Sequence, residues 1–303
     1  MVWLSRLAAT VAGLLLIALC EVGLWLSGVG PSNDLFLSAG ENYRINPHAA
    51  RRFFPHQYAR LAPVQDRFAR DKGQDTFRVF VLGASTLLGF PNPAQTSFPN
   101  YLQRMLEDAY PDRTIEVINC GITAINSFVL LDFIAEVVEH QPDLVLVYAG
   151  HNEFIGPYGA ATPFVRLGGD GTFIRWQMEL QRTKIYYALG EVIYRAGAWL
   201  GGSGEEVPFG VHLVQREIHL GDEAHLRTEE NYRRNLHQIL AAVRGQGVPL
   251  ILCTLVSNLE GFYPLRSQAP DPLPGTVPSS ADFPRHAAVY FEEGLAQIGR
   301  AHV

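Results

Sequence analysis

The stretch FRVFVLGASTLLGFP, residues 77–91, places a serine directly after a buried strand. Apolar residues dominate 77–82, as is typical of a strand that is covered on both faces, and the run stops at Gly83. Ser85 follows two residues later, where a parallel strand would pass into a loop. This stretch alone leaves two interpretations open: Ser85 is a nucleophile, or it is a small residue in a tight turn.

Outward from this stretch the chain alternates between predicted strands and helices. Further strands are predicted at 114–121, 142–150 and 248–255, and helices at 97–110, 126–140 and 229–247. Such alternation is typical of right-handed βαβ units, in which a parallel sheet carries helices on both faces. We therefore expect an α/β fold, a three-layer α/β/α sandwich with a flavodoxin-like parallel sheet.

The rest of the chain suggests further segments around this domain. We expect a connector at 31–75 and an incomplete α/β domain at 76–263, with a helical insertion at about 155–228 that would cap a cleft. A proline-rich linker is predicted at 264–284, and a new amphipathic helix begins within 285–303. The last six residues, IGRAHV, match one reading frame of a widely used sequencing adapter, so we expect the natural chain to be longer.

The N-terminus carries a candidate membrane helix. After Arg6 the chain is uncharged to Cys20, is interrupted by Glu21, and is uncharged again to Asn33. That length is enough for a helix to cross about 30 Å of hydrocarbon, so residues 1–30 are predicted to be an uncleaved signal anchor. The positive charge of Arg6 precedes the helix, which places the rest of the chain outside the cytoplasm. A cleaved signal peptide is the alternative, although no A-x-A-like cleavage site follows the apolar run.

Composition excludes some classes of function. The net charge of −6 gives no basic surface for nucleic acid, and 48% apolar against 18% charged residues is ordinary for a globular protein. The cysteines, Cys20, Cys120 and Cys253, are widely separated and show neither a metal-binding spacing nor a disulfide framework. We expect no metal and no organic cofactor.

Small and polar residues follow three of the predicted strands. Ser85 comes after the first strand, Gly121 ends the second, and Asn152 lies in the GHNEF segment after the third. In an open α/β sheet, ligands bind at the carboxyl ends of the strands. A hydroxyl, a backbone N–H and a carboxamide at one sheet edge are the parts of acyl-transfer chemistry, because the hydroxyl attacks and the donors stabilise the oxyanion. In the same GHNEF segment, His151 and Glu153 are candidate substrate contacts, or residues that merely begin a helix.

The segments VFVLGASTLLG, EVINCGITAINSF and DLVLVYAGHNEF together resemble the first three blocks of the SGNH/GDSL hydrolase family. The resemblance covers residues 77–154 most strongly, extends to 254–258 as a fourth strand, and implies that Ser85 is the nucleophile. It also implies that Gly121 supplies a backbone N–H, and Asn152 a side-chain amide, to the oxyanion hole. The predicted membrane helix and the helical segment after 285 are similar to bacterial GDSL-like proteins with a tetratricopeptide-type insertion.

The chain departs from the family pattern in two places. Ala84 stands where the family has aspartate between the glycine and the serine. The family also has a D-x-x-H near its C-terminus, whose histidine deprotonates the serine. The D-x-x-H of this chain is DEAH, Asp222 to His225, which precedes the fourth strand. We expect the true pair to lie beyond the end of this chain, with His225 and Asp222 as weaker substitutes, so this piece is expected to have little or no activity.

These observations predict a membrane-anchored serine esterase or acyltransferase that faces the periplasm or the cell surface. Its substrate would be a small-molecule, glycan or lipid ester, and the C-terminal helical segment could bind a protein partner. The alternative is a non-catalytic envelope protein that binds a glycan or a protein on the same fold.

Overall fold

The computed structural model describes residues 2–54, 66–89, 92–162, 170–200 and 218–256. The predicted linker at 264–284 and the helical segment at 285–303 lie outside the described residues. The chain divides into a compact unit of residues 1–255 and a second unit of residues 256–303, of which the structure describes Val256. The first unit contains the helices and strands described below.

Within residues 76–148 the strands and α-helices alternate as the sequence predicts. The helices are α1 (Val2–Leu26), α2 (Phe98–Ala109), α3 (Ser127–Val137), α4 (Gly171–Gln181), α5 (Lys184–Trp199) and α6 (Glu223–Gly245). The strands are β1 (Phe36–Ala39), β2 (Asn42–Ile45), β3 (Arg67–Ala69), β4 (Thr76–Gly83), β5 (Thr114–Gly121), β6 (Leu144–Tyr148) and β7 (Leu250–Leu252). Short 3-10 helices lie at Arg51–Phe53, Ala94–Thr96 and Val138–His140.

The main sheet has four parallel strands in the order β5-β4-β6-β7. Numbered along the sheet-forming part of the chain, this order is 2-1-3-4, which is the flavodoxin-like arrangement. The central strand β4 therefore has β5 on one side and β6 on the other. The predicted α/β fold with a parallel sheet is confirmed.

Helices cover both faces of the sheet. Consecutive residues of β4 point to opposite faces, and both sets are apolar, so both faces are buried by helices. Val79 and Val81 pack with Leu102 and Leu106 of α2. Phe80 and Leu82 lie in the larger core, which also contains the inward faces of α3 and α6. These strands are therefore buried on both sides, which explains their nearly continuous apolar sequence.

The predicted connector at 31–75 contains a second, antiparallel sheet in the order β1-β2-β3, which sequence analysis did not anticipate. Ala39 pairs with Asn42, so the hairpin loop consists of Gly40 and Glu41, and Gly40 has a positive φ of 69°. Phe36 and Phe68 pack against Phe80 of β4, with ring centroids 5.5 Å and 5.3 Å away. The small sheet thus belongs to the same hydrophobic core.

Arg78, at the start of β4, joins the two sheets. Its side chain is 1% exposed, yet its guanidinium donates to Glu116 Oε2 at 2.6 Å, to the carbonyl of His140 at 2.9 Å and to that of Ala69 at 2.7 Å. A buried charge is tolerated when it is paired and hydrogen-bonded in this way. Arg78 therefore fixes the amino end of the sheet, opposite to the end where the predicted site lies.

The N-terminal helix α1 is long and apolar enough to span a membrane or to serve as a signal sequence, and none of its span Trp3–Leu26 is buried within the rest of the structure. Its C-terminal part contacts α5, one of the two helices described in the predicted insertion. The turn between α4 and α5 lies against the residues after α1, since Asn33 Nδ2 donates to the carbonyl of Arg182 at 2.8 Å.

Candidate active site

The parallel register brings the three predicted strand ends to one edge of the sheet. Gly83 of β4 pairs with Gly121 of β5 on one side and with Tyr148 of β6 on the other. The N–H of Ile122 donates to the carbonyl of Gly83 at 3.2 Å, which joins the first two strand ends. The loops that carry Ser85, Gly121 and Asn152 therefore begin from neighbouring positions.

Ser85 lies in the turn that follows β4. The turn is closed by the N–H of Leu87, which donates to the carbonyl of Ala84 at 3.0 Å. Ser85 is half-buried, and among the described residues no group hydrogen-bonds to its hydroxyl. Part of Ser85 is therefore in contact with solvent.

Glycine is required at two positions around this turn. A Cβ on Gly83 would lie 2.3 Å from the carbonyl oxygen of Tyr148, and a Cβ on Gly121 would lie 2.6 Å from Cβ of Leu87. Contacts below 3.0 Å with backbone or with a Cβ cannot be relieved by a flexible side chain. The close approach of the three strand ends therefore depends on these two glycines.

The backbone N–H of Gly121, the predicted oxyanion donor, already has a partner in this structure. It donates to Oδ1 of Asn119 at 2.9 Å, and Asn119 in turn donates through Nδ2 to the carbonyl of Leu87 at 2.7 Å. Asn119 is 2% exposed, so this connection is internal. An oxyanion at Gly121 would have to share or displace the Asn119 oxygen.

Asn152, the second predicted donor, has one amide N–H committed and one more to offer. Its Nδ2 donates to the carbonyl of Ile125 at 3.0 Å, which ties the loop after β6 to the loop after β5. Its own carbonyl accepts from the N–H of Gly156 at 2.6 Å and closes the loop. A carboxamide nitrogen carries two hydrogens, and the described residues supply an acceptor for one of them.

Glu153 is 6% exposed and its carboxylate contacts the start of α3. It accepts from the backbone N–H of Ser127 at 2.9 Å and from the Ser127 hydroxyl at 2.7 Å, and Asn235 of α6 donates to that hydroxyl at 3.0 Å. Burial raises the pKa of the Glu153 carboxyl to about 7, and the hydrogen bonds from Ser127 oppose the rise. Glu153 therefore holds α3, α6 and the Asn152 loop together.

His151 is exposed at the same edge, and its ring centroid lies 5.5 Å from that of Tyr148 at the end of β6. A substrate contact by His151 or by Glu153 stays a prediction. Of the two, His151 has the side chain that solvent reaches.

The D-x-x-H pair lies at the start of α6, beside the Asn152 loop. The ring of His225 stacks on Phe154 with centroids 5.6 Å apart, and its Nε2 lies 3.8 Å from Oε1 of Glu229. Its Nδ1 is buried and has no hydrogen-bond partner in the described part of the chain. Asp222 accepts instead from the N–H of His219 at 2.9 Å. Asp222 and His225 therefore each have a different polar neighbour.

Several supporting residues were not found by sequence reasoning. Tyr232 of α6 donates its hydroxyl to the carbonyl of Ala149 at 2.6 Å, directly at the end of β6. Tyr232 and Asn235 lie far from the motif blocks, whereas Asn119 lies inside the block EVINCGITAINSF, where the sequence assigns it no role. Only their location in the fold reveals what these three residues contact. Within the described ranges, no group of three or more histidine, cysteine, aspartate or glutamate side chains could hold a metal ion.

Comparison with known proteins gives a weak likeness to esterases. No family model and no curated protein matches the chain. Among solved structures it is similar to AlinE4, an SGNH-hydrolase family esterase, at 15% identity over 60% of this chain and 77% of that one, with a TM-score of 0.28. It is also similar to the esterase EstA from Pseudoalteromonas sp., at 14% identity over 59% and 78% of the two chains, with a TM-score of 0.29.

The crystal structure of TesA matches at 15% identity over 73% of this chain and 99% of that one, with a TM-score of 0.27. Such identities and TM-scores carry no conclusion about activity. The fold assignment rests on strand order and register, and the proposed function rests on the residues at the strand ends.

Proposed function

We propose that this protein is a membrane-anchored, SGNH-type serine esterase or acyltransferase that acts on ester bonds through an acyl-Ser85 intermediate. The observation that supports this most is the pairing of Gly83 with both Gly121 and Tyr148, since the strand ends that carry Ser85, Gly121 and Asn152 are then neighbours. Ser85 is half-buried and its hydroxyl has no partner among the described residues, which fits the nucleophile of such a site.

In the proposed reaction, Ser85 Oγ attacks the carbonyl carbon of the ester and transfers its proton to a base. The carbonyl π electrons move to oxygen, and that oxyanion is stabilised by the Gly121 N–H and the second N–H of Asn152. Collapse of the tetrahedral intermediate expels the alcohol, which takes the proton back. Water then cleaves the acyl-serine, or a second alcohol takes the acyl group.

The general base that takes the Ser85 proton is the part of the proposed site with the weakest candidate among the described residues. The family resemblance expects a histidine from a later D-x-x-H. Within the described residues, His225 is the substitute that we favour, because it packs on Phe154 of the Asn152 loop and its Nδ1 has no partner there. Asp222 would then have to leave the His219 N–H in order to orient it.

We propose that α1 anchors the protein, with residues after about 30 on the extracytoplasmic side. Helix α1 is apolar, is not covered by the rest of the structure, and carries the positive charge of Arg6 near its N-terminus. A catalytic domain held at that surface would meet O-acylated glycans and lipids of the cell envelope. These esters are the proposed substrate class.

Covalent labelling by a fluorophosphonate tests Ser85. We expect labelling of the purified chain to be slow and to accelerate when imidazole is added as an external base. Ser85→Ala should abolish labelling with and without imidazole. Ser38→Ala, which removes the β1 hydroxyl that contacts Arg70, should change nothing. Labelling that persists in Ser85→Ala would overturn the assignment, as would a wild type that stays unlabelled even with imidazole.

One observation favours the alternative of a non-catalytic binding protein. The Gly121 N–H is engaged by Asn119 Oδ1, so the oxyanion hole is not open in this structure. If the alternative holds, acetylated glycan fragments would bind and protect the amides of the loop at 150–156 from hydrogen exchange, while no fluorophosphonate adduct would form.

A further inference from the structure

Helix α5 has an exposed apolar side that the rest of the described structure does not cover. Residues 192–197, Trp199 and Leu200 are all exposed, and Ile193, Trp199 and Leu200 are 70%, 85% and 76% accessible. A water-soluble helix seldom leaves so much contiguous apolar surface in solvent, and such patches usually mark a protein or membrane contact.

Most of the large exposed apolar side chains lie on one face of the helix. Tyr186, Leu189, Ile193 and Leu200 follow spacings of three, four and seven residues, which place them along one side. In the first half of α5 the opposite side faces the domain, since the guanidinium of Arg51 lies 5.4 Å from the Tyr187 ring centroid and 3.9 Å from the Glu191 carboxylate. We call the exposed side the α5 apolar face, defined by Tyr186, Leu189, Val192, Ile193, Trp199 and Leu200.

Helix α5 is attached to α1 at its first residues. The Glu21 carboxylate of α1 accepts from the backbone N–H of Lys184 at 2.7 Å and from that of Ile185 at 2.9 Å. The Lys184 ammonium donates to the carbonyl of Pro31 at 2.9 Å. Glu21, the acid that interrupts the apolar run, thus caps the N-terminus of α5, where backbone N–H groups lack helical partners.

This attachment sets the depth of α5 relative to a bilayer. The 18 residues Trp3–Cys20 span about 27 Å at 1.5 Å per residue, close to the thickness of the hydrocarbon layer. Arg6 lies one turn from the inner end of this span, where its long side chain can reach the inner interface. Glu21 then lies at the outer boundary of that layer, and α5 begins at the same level. Tyr186, Tyr194 and Trp199 supply the aromatic rings that concentrate at such boundaries.

We propose that the α5 apolar face lies in the outer membrane–water interface, as a second lipid contact beside α1. The ligand is the lipid surface itself, with the helix in the plane of the membrane and its apolar side chains roughly 5–10 Å deep. This inference rests on the proposed role of α1 as the membrane anchor. Its consequence is that the domain is held in one orientation, whereas an anchor through α1 alone would leave it free to rotate.

Depth-dependent fluorescence quenching in liposomes tests the proposal on the full chain. Single cysteines are introduced at Ile193 in α5, at Leu14 in α1 and at Met105 in α2, in a background of Cys20→Ala and Cys253→Ala, and carry an environment-sensitive fluorophore. Cys120 is 0% exposed and stays in place because the reagent cannot reach it. Met105 is 68% exposed and provides the control for a helix outside the membrane.

We expect the label at residue 193 to be quenched most by lipids with a spin label near the headgroup. The label at residue 14 should be quenched most by lipids with a spin label near the chain end, and that at residue 105 by neither. If residue 14 is quenched and residue 193 behaves like residue 105, the α5 proposal is wrong while the anchor stands. If neither is quenched, both are wrong. The fluorophore at residue 193 could also report an apolar environment without lipid, in a signal that grows with protein concentration. That result would assign the face to a second copy of the chain and would overturn the proposal.

Discussion

Glu153 and Glu21 accept hydrogen bonds from the first backbone N–H groups of a helix, in two very different regions of the molecule. Glu153 caps α3 inside the sheet edge that carries the candidate site, and Glu21 caps α5 beside the candidate membrane helix. The two contacts join residues that are 26 and 163 positions apart in sequence. Each glutamate therefore fixes tertiary structure through a local helix-capping interaction.

The surroundings of the two carboxylates decide what each contact contributes. Glu153 is 6% exposed, and its partner Ser127 is fully buried and also contacts Asn235 of α6. Glu21 is half-buried and joins one helix that is otherwise exposed to another. The buried cap should matter for global stability and the peripheral cap for local order, because unsatisfied groups cost most where water cannot replace the lost partner.

Of the substitutions in the two regions, Glu153→Ala should lower the free energy of unfolding most. It leaves the Ser127 N–H and hydroxyl buried without their acceptor, so we expect the free energy of unfolding to fall by about 3 kcal/mol. Glu153→Gln keeps the shape and one acceptor oxygen and should cost about 1 kcal/mol. Urea unfolding at pH 5 measures both, and equal losses for the two variants would contradict the capping role.

The pH dependence of the free energy of unfolding should also distinguish the Glu153 region from the Glu21 region. Burial raises the pKa of Glu153 to about 7 from 4.5, so between these values the folded protein keeps a proton that the unfolded chain has released. Its contribution to stability therefore falls as pH rises through this window, by about 2 kcal/mol between pH 5 and pH 7.

Urea titrations of wild type and Glu153→Gln at the two pH values isolate this effect, because the other titrating groups are common to both proteins. We expect the wild type to lose about 2 kcal/mol more than the variant between pH 5 and pH 7. Parallel pH profiles would show that the Glu153 carboxyl is not held in the buried state described above.

The substitution Glu21→Ala should give the smallest and most local effect. We expect a loss of about 1 kcal/mol of helix capping, which appears as roughly fivefold faster hydrogen exchange at the amides of Lys184 and Ile185 without a change in global unfolding. Glu21→Gln keeps an acceptor and serves as the matched control. A global destabilisation as large as that of Glu153→Ala would remove the contrast between the two regions.

Much of the fold follows from sequence pattern. The predicted strand at 114–121 coincides with β5, and that at 77–83 differs from β4 by one residue. The central strands and α2 have strong periodicity, so burial on both faces leaves few alternatives. The helix predicted at 229–247 begins at Glu223 in the structure. Sequence pattern missed its first turns because they are polar and carry no apolar stripe.

The small sheet β1-β2-β3 was missed although its hairpin has a sequence signal. Gly40-Glu41 between Ala39 and Asn42 forms a two-residue loop, and Phe36 and Ile45 point to the core on either side of it. Its strands are only three or four residues long, and β3 is separated from β2 in the sequence by residues 46–66. Short strands of mixed composition depend on packing against Phe80 more than on their own preference.

The sequence by itself determined the parallel sheet and the order of Ser85, Gly121 and Asn152 along the chain, because buried strands and glycine-rich strand ends leave a local pattern. Tertiary structure alone decided which groups meet around those residues. Asn119 Oδ1 accepts a hydrogen bond from the Gly121 N–H, Glu153 caps α3, and Glu21 caps α5. Contacts between residues that are distant in sequence depend on how whole helices pack, and neither composition nor periodicity records that packing.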